Sequence, residues 1–594
     1  MNFDWFVVPF SVGLVGLILF LTFKYTRWIL SLTKEERIKI RKSFFSLKFF
    51  KFAWEIISEA LLHVKIFKKN FVLGYMHSSF AFGWFLLILF GATEVEFADT
   101  PNANHLYEPI FFRFFHRNIS GMEHSEFFSF IMNFALLYVL SGLFLAIIKR
   151  FYSRLMGMKR TTHLFWTDKT ALYSLWLIFP LRLLAESTTA GLYSNGGFLT
   201  NNVGTFLSGF LSLEKIMYPL WWLYSIDLFI FFVFLPFSRY MHIPTEMVLI
   251  ALRQAGIYTK NKITGFSQLE INACSSCGIC IDACQIQDDL GRSNMVPAYL
   301  FQKMRHKKVL KTDLYDCLIC GRCQEVCPVD INILNIKLAK RSEKLNHKHQ
   351  QFEFLNPIYI EPTKAKIAYF AGCMTHLTPS VKKAMVSIFE KTDTSFSFID
   401  NDGSICCGRP LQLSGKFEDA QVLMQKNKEI IERSGAEILV TSCPICYKVF
   451  SEEYQLSIKV MHHSQLFEMW SKEGKLKLHP MQNIVSYHDP CDLGRGSNVY
   501  NAPRNVLNQI VILQKTEYQK EHSLCCGGSL GNFYFQEKDK VQTAQNAYQR
   551  IMTNNSEMLI TACPLCKKTF QKVAEKPVLD LAEIINQNLA ANLS

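Results

Sequence analysis

The chain has 594 residues, too many for one hydrophobic core, so about three to five domains are expected. Hydrophobic residues make up 49% and aromatic residues 14% of the chain, and the excess lies in its N-terminal part. The net charge of +14 is concentrated in loops between apolar runs, which indicates an anionic membrane face and argues against nucleic acid.

Five apolar runs are long enough to cross a membrane at about 1.5 Å per residue. They cover roughly residues 5–23, 71–92, 126–148, 169–188 and 217–240. The first run is interpreted as a span, because no basic segment precedes it and no small-residue cleavage site follows it. The sequence therefore predicts a five-helix transmembrane bundle.

The loop charges predict how these spans are oriented. The segment 24–69 and the loop after the third span (Lys149 to Arg160) are basic, whereas the loop between the second and third spans is acidic. By the positive-inside rule, the N-terminus lies outside and the tail after the fifth span lies in the cytoplasm. We therefore expect a multi-pass protein of the bacterial cytoplasmic (inner) membrane.

Two histidines near the predicted cytoplasmic side are candidate haem ligands. His77 lies about two turns into the second span, and His242 lies at the inner end of the fifth. Two neutral imidazoles that face each other across a helical bundle can ligate one haem. The alternative is that each is an interfacial residue that extends toward water.

Other polar residues of this region have ordinary expected roles. His63, His116, His124 and His163 are predicted to be surface residues. Arg182 and Asp227 are predicted to neutralise each other, with a quinone or proton site as the alternative.

The arrangement resembles the cytochrome b subunit of respiratory nitrate reductases. This resemblance implies a cytochrome b-like domain over 1–250, with haem ligands on the second and fifth helices. Relatives often hold a second haem through a histidine about ten residues further along the second span. Leu86, Leu87 and Ile88 stand there in this chain, so one haem b is expected.

All eighteen cysteines follow the membrane part, between Cys274 and Cys566. The first eight form the spacing C-x2-C-x2-C-x3-C twice, which is the pattern of a dicluster ferredoxin over 262–345. The fourth ligand of each cubane [4Fe–4S] cluster comes from the other run. The predicted sets are Cys274, Cys277, Cys280 and Cys327, and Cys317, Cys320, Cys323 and Cys284.

Two further features of this segment bear on the prediction. Zinc has no use for a C-x2-C-x2-C triplet, which argues against zinc knuckles. Gln285 follows Cys284 where the pattern usually has proline, and the long gap before Cys317 predicts an added helix around 296–309.

The remaining ten cysteines form an internal repeat with nearly constant offsets, which predicts two similar domains over 364–475 and 482–590. Short apolar runs indicate buried parallel strands, with helices such as 418–433 and 539–554 between them. The cysteines then follow strand ends, where open α/β sheets bind ligands. The aligned cysteines are Cys373, Cys406, Cys407, Cys443 and Cys446, and Cys491, Cys525, Cys526, Cys563 and Cys566.

This pattern resembles the CCG domain of the heterodisulfide reductase catalytic subunit. The resemblance implies a noncubane [4Fe–4S] cluster on the five cysteines of each repeat, and therefore two such clusters. The expected fold class is multidomain, with a five-helix transmembrane bundle, an α-helical dicluster ferredoxin domain and duplicated α/β CCG domains.

The domain order resembles fused membrane oxidoreductases that pass electrons between electron-transfer flavoprotein and menaquinone. The leading hypothesis is therefore an iron–sulfur oxidoreductase that passes electrons between a soluble cytoplasmic donor, electron-transfer flavoprotein or another dehydrogenase, and the quinone pool. A disulfide reductase that acts at the noncubane clusters is the alternative, and a membrane metal-binding scaffold is a third. The sequence has no G-x-G-x-x-G after a strand, so flavin chemistry is assigned to a partner.

Overall fold

The structure is a computed structural model that describes residues 4–44, 48–97, 108, 110–111, 125–345, 360–530, 535–553 and 555–589. The chain forms two compact units. The first comprises Met1–Tyr258 with Thr264–Asp282, and the second comprises Thr259–Ile263 with Ala283–Ser594. The predicted ferredoxin segment is thus divided between the units after Asp282.

Five helices longer than 20 residues form the described framework of the first unit. They are α1 (Val7–Leu30), α2 (Phe71–Phe97), α3 (Ser125–Phe151), α4 (Trp166–Tyr193) and α5 (Leu213–Phe234). Helix α5 packs against α4 and α1, and α2 packs against α3. Their interior is rich in aromatic side chains, including Phe10, Phe179 and Trp221.

Four stretches are long and apolar enough to cross a membrane: Val7–Leu30, Phe71–Phe97, Glu126–Phe151 and Leu213–Phe237. The fourth predicted span lies on α4, which has 28 residues but is not among these four. Helix α4 carries Asp168, Lys169, Arg182 and Glu186, which lower its hydropathy. Membrane association is therefore supported by four helices.

The C-terminal end of the fifth span, predicted at residue 240, is wrong. Helix α5 ends at Phe234, because Pro236 has no backbone N–H to continue it and lies in a 3-10 turn, Leu235–Phe237. His242 is not at the end of the fifth span. It begins the next helix, α6 (His242–Gln254).

Shorter elements complete the first unit. The helices are Lys34–Phe44, Lys48–Glu55, Val64–Lys69, Phe198–Ser208, Gly265–Ala273 and Ile279–Asp282, with a π-helix at Ile56–Leu61 and 3-10 turns at Ser153–Met156 and Arg239–Met241. The π-helix ends just before His63, whose φ of 54° places it in the left-handed region.

The second unit begins with short helices and one longer helix. They are Gln285–Leu290, Pro297–Arg305, Lys311–Tyr315, Arg322–Glu325 and α7 (Ile333–Leu345). The added helix predicted around 296–309 is confirmed as Pro297–Arg305, which begins with a proline whose fixed φ suits the first helical position.

Two parallel four-stranded sheets follow, with the same strand order. The first is β2-β1-β3-β4 and the second β6-β5-β7-β8. The strands are β1 (Ile367–Phe370), β2 (Phe396–Phe398), β3 (Ile438–Thr441), β4 (Lys459–His462), β5 (Ile484–His488), β6 (Ile512–Leu513), β7 (Met558–Thr561) and β8 (Val578–Asp580). The predicted duplication of an α/β unit is confirmed.

Helices cover both sheets, as buried parallel strands require. They are Cys373–His376, Pro379–Lys391, Arg409–Ser414, Phe417–Arg433, Pro444–Glu452 and His463–Lys472 in the first repeat, and Gly494–Ser497, Asn501–Leu507, Glu537–Ile551, Pro564–Gln571 and Leu581–Asn588 in the second; a 3-10 turn spans Lys520–His522. The two repeats share one hydrophobic core, in which Tyr369 and Trp470 lie with Tyr487 and Leu581.

Candidate functional site

The five thiols of the first repeat are in contact with one another. Cys373 contacts Cys406, Cys406 contacts Cys407, Cys407 contacts Cys446, and Cys446 contacts Cys443. Hydrogen bonds from Cys373 and Cys407 lower the pKa of Cys406 to about 3. One thiolate is therefore favoured, at Cys406, whereas contact with neighbouring thiols and burial raise the pKa of Cys373, Cys407 and Cys446. The thiolate is the form that binds metal.

The backbone around the first set is shaped to bring the thiols together. Cys373 follows β1, and Cys443 follows β3 and precedes the helix Pro444–Glu452, whose first turn carries Cys446. Gly372 has φ 82° and ψ 153°, and a Cβ there would lie 2.7 Å from the Cys446 Sγ. Only glycine suits this position.

The second repeat forms the same pattern with more burial. Cys491 contacts Cys525, Cys525 contacts Cys526, Cys526 contacts Cys566, and Cys566 contacts Cys563. Hydrogen bonds from Cys525 and Cys566 lower the pKa of Cys526 to about 6. Cys525 is buried, whereas its counterpart Cys406 is partly exposed.

A small cavity of about 30 Å³ lies among the thiols of the second repeat. All five of these cysteines line it. Leu318 and Ile319, between two ferredoxin cysteines, and Pro444 and Ile445, between two cysteines of the first repeat, also line it. The second repeat's thiols therefore lie between two other predicted cluster sites.

Four ferredoxin cysteines of the second unit lie together. Cys284 is within electrostatic range of Cys317, Cys320 and Cys323. This is the set predicted for one cubane cluster, with Cys284 contributed by the other run. Ligation of iron by these cysteines stays a prediction, and so does the other set, whose Cys274, Cys277 and Cys280 belong to the first unit and Cys327 to the second.

The residue that departs from the ferredoxin pattern connects this set to the second repeat. Gln285 Nε2 donates to the carbonyl oxygen of Cys525 at 3.0 Å, and the Cys525 N–H donates to Gln285 Oε1 at 2.8 Å. Arg495 Nε also donates to the Cys320 carbonyl at 2.9 Å. Proline at position 285 has no side-chain amide and makes neither bond.

No group of three or more His, Cys, Asp or Glu side chains in the described residues is arranged to hold a single metal ion. The thiols of each repeat instead form a contacting set of five, one more than a structural zinc site uses, and four ferredoxin thiols lie within electrostatic range of one another. This arrangement disfavours zinc and fits multi-iron clusters.

The first unit contains a cavity of about 430 Å³ lined by three histidines, His63, His77 and His242. Aromatic side chains such as Phe80, Trp84 and Trp176 form much of its wall. The remaining wall includes the basic residues Lys149, Arg150 and Arg239 together with Ser275 and Cys277.

Hydrogen bonds orient two of these imidazoles. The Nδ1 of His242 pairs with the Arg239 carbonyl at 2.7 Å, and the Nδ1 of His63 pairs with the Leu61 carbonyl at 3.1 Å. Such bonds are typical of metal-bound histidines, because they leave Nε2 as the electron-pair donor. The buried Nε2 of His77 has no hydrogen-bond partner among the described residues, which suits a ligand atom.

The prediction that His63 is a surface residue is wrong. His63 is buried, and its ring lies 5.5 Å from that of His77, centroid to centroid. The sequence placed it in a loop, and only the fold brings that loop over the cavity. His163 is exposed as predicted, and His116 and His124 lie outside the described residues.

The predicted pairing of Arg182 with Asp227 is also wrong. Arg182 Nε donates to Glu186 Oε1 at 2.6 Å, one turn along the same helix. The Oδ2 of Asp227 is buried without a hydrogen-bond partner in the part of the chain that the structure describes. Residues four apart on a helix are neighbours, so Glu186 is the closer partner for Arg182.

Comparisons with known proteins identify the domains of the second part. Residues 367–451 and 485–571 match the family described as Cysteine-rich domain (CCG). Residues 270–331 match the family described as 4Fe-4S dicluster domain. The matched segments all follow residue 269, so the likeness of the N-terminal part to a cytochrome b stays a prediction.

Three proteins of similar sequence are named as an iron–sulfur protein and two oxidoreductases. An uncharacterized iron–sulfur protein of Methanococcus maripaludis is 27% identical over 44% of this chain and 58% of its own length. A component of the dihydromethanophenazine:CoB--CoM heterodisulfide reductase of Methanosarcina barkeri is 25% identical over 58% of this chain and 100% of its own. EtfAB:quinone oxidoreductase of Syntrophomonas wolfei is 22% identical over 62% of this chain and 67% of its own.

The last two relatives are oxidoreductases by name. The prediction that this chain is an iron–sulfur oxidoreductase is confirmed. The electron acceptors and partners in the relatives' names apply to those relatives.

Proposed function

We propose that this protein is a membrane-bound oxidoreductase that passes electrons between a soluble cytoplasmic donor and the quinone pool. The observation that carries the proposal is the shared wall of the histidine cavity. A predicted cluster ligand, Cys277, and the predicted haem ligands His77 and His242 line one cavity. A cluster ligand and a haem site within one unit are what electron transfer into a membrane requires.

The second unit supports the soluble end of this path. The four-cysteine set of the ferredoxin segment lies beside the second repeat's thiols, and Cys525 is within electrostatic range of Cys320. The first turn of the helix Pro444–Glu452 then connects the second repeat's cavity to the first repeat's site. In this proposal, two cubane and two noncubane [4Fe–4S] clusters are held by the eighteen cysteines as the sequence predicts.

We assign one haem b to the cavity of the first unit. His77 and His242 would hold it through imidazole nitrogens, and the basic side chains Lys149, Arg150 and Arg239 would pair with its carboxylates. Cys277 is within electrostatic range of Lys149 in the same cavity wall. When bound, haem supplies a one-electron centre within the bilayer.

The membrane arrangement in this proposal has five spans, with α4 as the fourth. Helix α4 packs against α5 and α3, both long and apolar, and its charged Arg182 and Glu186 neutralise each other. The N-terminus lies outside a bacterial cytoplasmic membrane and both cysteine repeats lie in the cytoplasm. The relative named EtfAB:quinone oxidoreductase favours electron-transfer flavoprotein as the donor.

The test uses the full-length protein, purified anaerobically and placed in lipid nanodiscs with menaquinone. Reduced electron-transfer flavoprotein is added, and absorbance of a b-type haem and formation of menaquinol are followed together. The proposal expects both to appear in the wild type. In His77→Ala the haem absorbance is lost and menaquinol formation falls at least tenfold, whereas His163→Ala, an exposed control, behaves as wild type.

A disulfide reductase is the second candidate, and the completeness of both thiol sets favours it. All five cysteines are present and in contact in each repeat, and one relative is part of a heterodisulfide reductase by name. Under reducing conditions, this candidate predicts thiol release from an added disulfide, abolished in Cys406→Ser and independent of His77. Menaquinol formation without thiol release excludes it.

A further inference from the structure

Lys337 is a buried cation beside a predicted cluster ligand. It lies on α7 and is 1% exposed, and its Nζ lies 3.2 Å from the Cys317 Sγ, within hydrogen-bond distance. Cys323 and Cys284 are also within electrostatic range of its ammonium group. Three of the four thiols in the predicted set therefore face this one lysine.

The countercharge of Lys337 comes from sulfur. Within the described part of the chain, no carboxylate forms an ion pair with Lys337, whereas Lys340 on the same helix pairs with Glu343 at 2.6 Å. A buried ammonium group is strongly unfavourable unless opposite charge and hydrogen bonds compensate it. Thiolates bound to iron supply that charge, and neutral thiols do not.

The surrounding packing fixes the lysine in place. Helix α7 packs against Lys311–Tyr315 and Arg409–Ser414. One turn beyond Lys337, the fully buried Arg341 donates to the Leu314 carbonyl from both Nε and Nη2 and to the Leu413 carbonyl from Nη1. Arg341 thereby anchors the helix. Its guanidinium group is also within electrostatic range of Cys317, but its hydrogen bonds go to backbone carbonyls, whereas Lys337 Nζ donates a hydrogen bond to the Cys317 Sγ.

The two ferredoxin runs differ at this position. Lys337 stands ten residues after Cys327, whereas Asn294 stands ten residues after Cys284. The lysine therefore has no counterpart at the same offset after the first run.

We propose that Lys337 raises the reduction potential of the cluster on Cys284, Cys317, Cys320 and Cys323, so that this cluster, which lies beside the thiols of the second cysteine repeat, retains the electron. One electron from the soluble donor converts [4Fe–4S]2+ to [4Fe–4S]1+, and Lys337 keeps its proton. The added negative charge is stabilised by the adjacent ammonium group and its hydrogen bond to sulfur, both of which are known levers on cluster potential. The inference rests on the iron–sulfur clusters of the proposed function. In it, Lys337 acts on the cluster through its charge and its hydrogen bond to the Cys317 Sγ.

The test is a redox titration followed by EPR on anaerobically purified full-length protein. The signal of this cluster is identified by its loss in Cys284→Ser. Lys337→Met, which keeps the length of the side chain but not its charge, is expected to lower the ratio of reduced to oxidised cluster at least tenfold at a fixed potential. That change equals about 59 mV for a one-electron couple.

Two matched variants separate charge from packing. Lys340→Met, on the same helix but ion-paired at the surface, is expected to leave the potential unchanged. Lys337→Arg retains the charge and is expected to recover most of the shift. An iron-replete Lys337→Met protein with the wild-type potential overturns the proposal.

A second measurement covers the case in which Lys337→Met fails to assemble. Wild-type protein labelled with 15N-lysine is reduced and examined by pulsed EPR, which detects a 15N coupling when Nζ is hydrogen-bonded to a cluster ligand. The coupling is expected in wild type and in Lys340→Met, and its absence overturns the proposal. Failure of the proposed function itself gives a different result, because wild-type protein would then form no menaquinol, whatever the potential of this cluster.

Discussion

Replacement of Gly372 by alanine tests whether the first repeat is built tightly around a metal cluster. Its φ of 82° and ψ of 153° lie in a region almost exclusive to glycine, so an alanine there costs about 1–3 kcal/mol. In addition, the new Cβ would lie 2.7 Å from the Cys446 Sγ. The backbone cost affects stability, and the contact displaces a predicted iron ligand.

Gly435→Ala is the matched control, because it carries the backbone cost of a positive φ but brings no new Cβ against a sulfur atom. Gly435 has φ 65°, and a Cβ there meets nothing within 4 Å. Its backbone cost is about 1–2 kcal/mol. We therefore expect both variants to lower the free energy of unfolding by a similar amount.

The variants are expected to differ in iron. Gly372→Ala should lose about four iron atoms per chain, those of one cluster. Gly435→Ala should retain the wild-type content. Iron and acid-labile sulfide are measured on anaerobically purified proteins, alongside unfolding in urea. Gly372→Ala with the full wild-type iron content would refute the argument that the thiols form a closely fitted site.

Three other outcomes are expected. Gln285→Pro removes both hydrogen bonds to Cys525, so electron transfer into the second repeat should slow at least tenfold in a stopped-flow reduction experiment while total iron is unchanged; an unchanged rate contradicts the connecting role. His242→Ala should abolish the low-spin haem spectrum, and retention of that spectrum would exclude His242 as a ligand. Burial lowers the pKa of His488 to about 4, whereas an unfolded histidine has a pKa near 6.5. The free energy of unfolding is therefore highest above pH 6.5 and falls as the pH drops toward 4, because the unfolded state binds a proton that the folded state does not. Between pH 7.5 and 5.5 the loss should be about 1.4 kcal/mol in urea unfolding, and the same loss in His488→Gln would show that this histidine is not its source.

The spacing of the cysteines, together with short apolar runs, predicted the duplicated α/β fold of the second unit. Thiols must be close to share a metal, so the motifs around Cys373 and Cys491 fixed which loops meet and where strands end. The two sheets have the same order, as a duplicated sequence requires. The helix Pro297–Arg305 was also predictable, because a long gap between ligand runs has to be filled by structure.

Features that depend on contacts between distant segments were not predictable. Lys337 belongs to a lysine-rich helix whose sequence predicts a solvent-exposed surface. The structure shows instead that its Nζ lies within hydrogen-bond distance of the Cys317 Sγ. Gln285 read as a departure from a pattern, yet its amide joins a segment 240 positions away. His63 read as a loop residue, because nothing local indicates the left-handed turn that buries it.

Polar residues within the apolar helices were misassigned for a related reason. Arg182 and Asp227 are both charged and both on predicted spans, so they were paired by composition. The α-helix places Glu186 one turn from Arg182, and this local geometry decides the partner. Asp227 is left facing Ser174, whose hydroxyl donates to its backbone carbonyl at 2.8 Å.

The central claim is that the cysteines of the second half hold iron and that these centres exchange electrons with a haem in the first unit. The most direct measurement is a quantitative EPR and visible spectrum of the anaerobically purified protein, before and after stepwise reduction, together with iron and sulfide analysis. The account predicts signals from both cubane and noncubane clusters and a b-type haem that is reduced along with them. A colourless protein with bound zinc and no acid-labile sulfide would contradict it.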